Sequence, residues 1–163
     1  MKIDNQDRLN ILKDLIVDEE HSLEDLKRLV EKSKSFLKIE NKSGNIIITS
    51  NFSFTVNEKI IIYLIGKYFV NELGLNDKTQ ITSRNISENI DIAQTTLSGP
   101  LGEGIRKKIV EIKDNSYSIK YYEIENQLDS LTNKYLLKKD VAKITLKKRK
   151  PKTSTRKTKK KIN

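Results

Sequence analysis

Residues 81–119 read ITSRNISENIDIAQTTLSGPLGEGIRKKIVEIKDNSYSI, and the spacing of their apolar side chains decides the fold. Ile86, Ile90, Ile92, Leu97, Leu101 and Ile105 recur at the intervals of two short helices folded onto one small core. The first helix opens near Ser83, a good capping residue, and stops at Asp91, where a left-handed turn is needed and Asp tolerates it better than most non-glycine residues. The second begins at about Ala93. Leu97, Leu101 and Ile105 form its inward seam and leave Gln94, Thr95, Thr96, Ser98 and Gly102 facing out, small side chains that can approach base edges or phosphates. Beyond Lys108 the period shortens. Ile109–Ile112, the turn Lys113-Asp114-Asn115-Ser116 and Tyr117–Ile119 spell a β-hairpin.

This segment resembles the winged helix-turn-helix superfamily, in particular compact archaeal and bacterial regulators whose recognition helix reads TTLS-x-PL, here Thr95 to Leu101, followed by a basic turn and a wing. The resemblance covers about a quarter of the chain. It implies a helix held against a nucleic-acid groove, although some members of the superfamily use the same surface to bind protein. Two departures stand out: Ala93 occupies the place of the usual Ser, Thr or Asp cap, and Gly99-Pro100 interrupts the recognition helix. Proline removes a helical hydrogen bond and crowds the preceding turn, so this helix is expected to kink or begin anew at Pro100.

Charge is divided sharply along the chain. Ten of the 32 Lys and Arg lie in residues 147–163 with no Asp or Glu among them, so residues 1–146 hold 22 of each sign and the whole excess of +10 sits in KKRKPKTSTRKTKKKIN. That stretch has no apolar periodicity and cannot bury enough surface to offset its ordering entropy, so a disordered basic tail is expected. Ten cations unrelieved by any anion favour a polyanion partner. A winged helix followed by a lysine-rich tail has the layout of linker histones.

The rest of the chain frames this unit. Residues 5–36 carry helical spacing at Leu9, Leu12 and Ile16 and again at Leu23, Leu26 and Val30, with Ser22 and Asp25 forming a capping box between them. A helical hairpin and one bent helix both fit. Phe36–Glu40 and Asn45–Thr49 flank Asn41-Lys42-Ser43-Gly44 as a second hairpin. Thr55 and Glu58 form another capping box, opening an apolar helix from Lys59 to Leu73 that Gly74 ends. Its apolar residues cover more than one face, which predicts a central helix; Gly66 inside it either weakens the helix by roughly 1 kcal/mol relative to Ala or marks a close packing contact. A last helix runs from Tyr121 to about Lys139 on a seam of Ile124, Leu128, Leu131 and Tyr135, an added element that often carries dimer contacts in winged-helix proteins. The expected fold class is therefore α+β, mainly α: N-terminal helices and hairpin in residues 1–50, a winged helix-turn-helix with its C-terminal helix in 55–140, and the tail in 147–163.

Catalysis is not expected. Cysteine is absent and His21, read as a surface residue, is the only histidine, so no other His or Cys can join it in a zinc site and no bound metal is expected. The glycines at 99, 102 and 104 lack the GxxxxGK[ST] pattern of a phosphate loop, and the carboxylates sit among lysines on helix faces. No cofactor is implied. MKIDNQDRLN has no signal-peptide layout, and the apolar run Ile60–Gly66 is too short to span a membrane. The expectation is a soluble cytoplasmic protein, nucleoid-associated if prokaryotic.

The sequence thus predicts a DNA-binding protein, a transcriptional regulator or an architectural one, with DNA ahead of RNA as its partner and a homodimer allowed. Gln94, Thr95, Thr96 and Ser98 would approach bases. Arg84, Arg106, Lys107, Lys108, Lys113 and Lys120 would meet phosphates or the minor groove, although Arg106 to Lys108 could equally complement the helix dipole. Lys147, Lys148, Arg149, Lys150, Lys152, Arg156, Lys157, Lys159, Lys160 and Lys161 would add affinity without sequence. The competing expectation is a non-catalytic adaptor whose winged helix binds protein and whose tail grips RNA or a ribonucleoprotein.

Overall fold

Thr55 supplies the first fixed point of the chain. Its hydroxyl accepts from the Glu58 backbone N–H at 3.3 Å, and the Glu58 carboxylate accepts from the Thr55 N–H at 2.8 Å, satisfying two donors that a helix start otherwise leaves unpaired. A computed structural model describes residues 23–75 and 80–137. In order they form α1 (Leu23–Ser33), β1 (Leu37–Ile39), β2 (Ile46–Ile48), α2 (Val56–Glu72), α3 (Ser83–Ile90), α4 (Gln94–Arg106), β3 (Val110–Lys113), β4 (Ser116–Ile119) and α5 (Tyr121–Thr132), which continues as one π-helical turn, Asn133–Leu137. The class is α+β and mainly helical, with two separate two-stranded antiparallel sheets, β1-β2 and β3-β4.

The helix opened by Thr55 is the centre of the molecule. Ile60, Ile62, Tyr63, Leu64, Ile65, Phe69 and Val70 are all buried, and residues so close in sequence point in every direction around a helix. It contacts β1 and β2 on one side and α3, α4, β4 and α5 elsewhere. Gly66 lets β2 come close: a Cβ there would lie 2.8 Å from Ile46 Cγ2 and 2.9 Å from both Cγ1 and Cδ1. Substituting Gly66→Ala should gain about 1 kcal/mol of helix propensity yet lose about 1–3 kcal/mol to overpacking, so a net loss in urea unfolding is expected. Unchanged or raised stability would show that the β1-β2 hairpin gives way at no cost.

Aromatic side chains tie the first hairpin to the end of α5. Phe36 is fully buried, with ring centroids 5.9 Å from Phe52 and 6.2 Å from Phe54, and Tyr135 lies tilted against Phe52 at 5.3 Å and edge-on to Phe54 at 5.1 Å. The Tyr135 hydroxyl lies 2.7 Å from Glu58 Oε2 and 3.0 Å from the Ser53 carbonyl, while Lys134 Nζ sits 2.5 Å from Glu58 Oε1. Burial works against the ionised Glu58, but the Lys134 ammonium and the hydrogen bonds from Thr55 and Tyr135 outweigh it and hold the carboxyl below its ordinary value. On the other flank, α1 lies on α5 with Leu29 buried and with Arg28 and Lys32 each paired with Glu125 at 2.8 Å, Lys32 also with Asp129 at 2.6 Å. These pairs are partly exposed and orient α1 more than they stabilise it.

Several expected boundaries move. α1 ends at Ser33 instead of running to residue 36, because Phe36 turns into the aromatic cluster. The central helix starts at Val56, three residues before Lys59, directly behind its cap. α5 keeps Ile124, Leu128 and Leu131 buried as the seam, but its regular hydrogen bonding stops at Thr132, where a π-turn brings Tyr135 onto Glu58. The expected helix around Leu9, Leu12 and Ile16, the Ser22 cap, His21 and the basic tail lie outside the described residues. No helix among the described residues is long and apolar enough to cross a membrane.

Candidate nucleic-acid interface

α3 begins one residue earlier in cap terms than Ser83 suggests. Thr82 is the cap, its hydroxyl accepting from the Asn85 N–H at 3.2 Å while Asn85 Oδ1 accepts from the Thr82 N–H at 3.0 Å; Ser83 is the first helical residue. The helix ends as expected, at Asp91, with φ 53°. Ser87 closes the turn: its carbonyl accepts from the Ile92 N–H at 3.2 Å and its hydroxyl donates to the Ile92 carbonyl at 2.7 Å. The start of α4 is thereby held by the end of α3.

α4 is one continuous helix through Pro100, so the expected restart does not occur. Gly99 explains part of this, since it has no Cβ to collide with the proline ring and can stay helical. The lost bond falls at the Thr96 carbonyl, on an exposed residue that water can reach. Leu97 and Leu101 are buried as expected, but Ile105 is 37% exposed and Gly104 takes the third inward place. Val110 leaves no room for anything larger: a Cβ on Gly104 would lie 2.9 Å from its Cγ2. Gln94, Thr95, Thr96 and Ser98 are all exposed, and Gly102 is partly so.

The β3-β4 hairpin stands beside α4. It turns on two residues, Asp114 and Asn115, with φ 50° and 61°, so Lys113 and Ser116 are strand residues paired with each other and not part of the turn. A short stretch invisible to periodicity braces it. Tyr117 donates its N–H to the Ile81 carbonyl at 2.8 Å, Ser116 Oγ accepts from the Ile81 N–H at 2.9 Å, and Gln80 donates to the Asp114 carbonyl at 3.0 Å. The chain entering α3 therefore runs along the outer edge of β4.

The expected phosphate-binding cations are unequal. Arg84 pairs with Glu88 at 2.9 Å and Lys107 with Glu103 at 2.5 Å, both one helical turn apart. Lys107 is the largest cause holding the Glu103 carboxyl below its ordinary value. Lys120 reaches over the Tyr122 ring at 5.8 Å. Arg106, Lys108 and Lys113 are exposed and make no salt bridge among the described residues. Lys108 also carries a left-handed backbone, φ 59°, where the Ile109 N–H bonds back to the Gly104 carbonyl at 3.0 Å and ends α4. The ten tail cations, from Lys147 to Lys161, are outside the described residues.

Comparison of the chain with protein families, curated proteins and solved structures yields no match. Function has to be argued from the surface itself. Among the described residues no group of three His, Cys, Asp or Glu could hold a metal ion. One contact of consequence was beyond sequence reasoning: Gln94 Nε2 donates to Ser83 Oγ at 3.1 Å, joining the exposed faces of α3 and α4. The two residues are eleven positions apart across a turn, and no local pattern signals such a pair.

Proposed function

We propose that the chain is a DNA-binding protein of the winged helix-turn-helix type, acting in transcriptional regulation or chromosome architecture, with α4 as its reading helix and β3-β4 as its wing. The single observation that carries this reading is the seating of α4: Leu97 and Leu101 bury one side, while an uncharged polar face at Gln94, Thr95, Thr96 and Ser98 stays exposed beside a braced hairpin. A rigid helix with a hydrogen-bonding outer face is what a major groove admits. Arg106, Lys108 and Lys113 supply phosphate contacts around it, and the tail adds affinity independent of sequence.

Fluorescence anisotropy on duplex DNA tests the reading. Changing Gln94, Thr95 and Thr96 together to Ala should leave the salt dependence nearly unchanged while lowering the preference for a selected duplex by about 1–3 kcal/mol per lost base contact. If the triple variant binds every sequence as the parent does, α4 does not read bases.

One observation favours the adaptor reading as a second choice. Residues 81–120 hold six Lys or Arg against five Asp or Glu, so this face has little net positive charge to draw it toward DNA. An adaptor would keep its protein partner after nuclease treatment of a native lysate; a DNA-binding protein would lose what co-purifies with it.

A further inference from the structure

Between Ile92 and Gly102 there is no Arg, Lys, Asp or Glu. Guanine is most often read by Arg or Lys at O6 and N7, and cytosine N4 by a carboxylate, so neither base finds its usual partner on the first two turns of α4. The one carboxylate within α4, Glu103, is engaged by Lys107 at 2.5 Å and by Asn57 Nδ2 at 3.3 Å. Gln94 differs from its neighbours in offering a donor and an acceptor side by side. Ser83 Oγ takes one of the two Nε2 hydrogens, which fixes the amide plane from a second helix. The other Nε2 hydrogen and Oε1 make no hydrogen bond among the described residues, and together they match N7 and the N6 amino group of adenine. Thr95 and Thr96, both exposed, carry methyl groups suited to the C5-methyl of thymine.

We propose that α4 reads A·T base pairs, with Gln94 braced by Ser83 as the adenine-specifying residue; this rests on the DNA-binding reading above. Bracing matters because a free glutamine loses rotamer entropy on binding, whereas one already held by a neighbouring helix loses less. Ser83 touches no base in this scheme and acts by positioning Gln94.

The test uses the full chain and a pool of random duplexes of one length, from which the tightest binder is selected. Each adenine of that duplex is then replaced by 7-deazaadenine, which lacks the N7 acceptor, and each thymine by uracil, which lacks the methyl group. One 7-deazaadenine position is expected to weaken the parent protein about tenfold and to weaken Gln94→Ala no further. Ser83→Ala should shrink the tenfold effect while leaving the salt dependence alone, a result that a purely structural serine would not give. Selection of duplexes whose recognition depends on G·C pairs would overturn the assignment and leave DNA binding intact, as would a 7-deazaadenine penalty that persists in full in Gln94→Ala. Failure to bind any duplex would overturn both the assignment and the reading it rests on.

Discussion

Removing residues 147–163 is expected to flatten the dependence of log K on log salt for duplex DNA by several units. Each phosphate neutralised contributes a slope of about −0.9, and the segment holds ten Lys or Arg, so a change of about nine units is the ceiling if all ten engage together. The remaining 146 residues are neutral overall, and on the candidate face Arg84 and Lys107 are already paired with Glu88 and Glu103. Little electrostatic attraction is left once the segment is gone. Anisotropy titrations of the parent and the truncated protein across a series of salt concentrations give both slopes directly. Equal affinity and equal slope for the two proteins would mean that these cations do not anchor the chain to nucleic acid.

The largest expected loss of stability comes from Phe36→Ala. Phe36 is fully buried between Phe52 and Phe54 at the point where the chain leaves α1 for β1, and deleting a buried phenylalanine costs about 3–5 kcal/mol. That is a large share of the roughly 5–15 kcal/mol by which domains are stable. The ring also stands against the cluster that Tyr135 joins, so the cavity would loosen the first hairpin and the end of α5 together. Urea unfolding followed by circular dichroism should show one transition at a much lower midpoint. A midpoint near that of the parent would show that the cluster collapses to fill the space.

Features decided by a few neighbouring residues were legible in the sequence. The Thr55–Glu58 capping box, the left-handed stop at Asp91 and both hairpins depend on local hydrogen bonds or on backbone preferences, and residue types report them directly. What needed a distant partner was not legible. A period of 3.6 residues fits Gly104 and Ile105 equally well as the third inward position of α4, and only the approach of Val110 selects glycine. One local feature was missed as well: Thr82 and Ser83 are adjacent and both able to cap, and it is the side chain of Asn85, three residues on, that decides in favour of Thr82. Gln80 and Ile81 carry no pattern at all until β4 is beside them. At the candidate site the exposed polar face of α4 followed from helical spacing, whereas the Ser83–Gln94 hydrogen bond followed from the angle between two helices, which spacing does not encode.

The burial of α2 bears on how this chain can change over generations. Of its seventeen positions only Asn57, Asn71 and Glu72 are exposed. Every other position faces a neighbouring element or its margin, and those neighbours include both the first hairpin and the helices that carry α4. A replacement in α2 must therefore suit two surfaces at once, and a change that one tolerates will often offend the other. Sequence drift should therefore be slowest along this helix, at positions that touch no ligand at all.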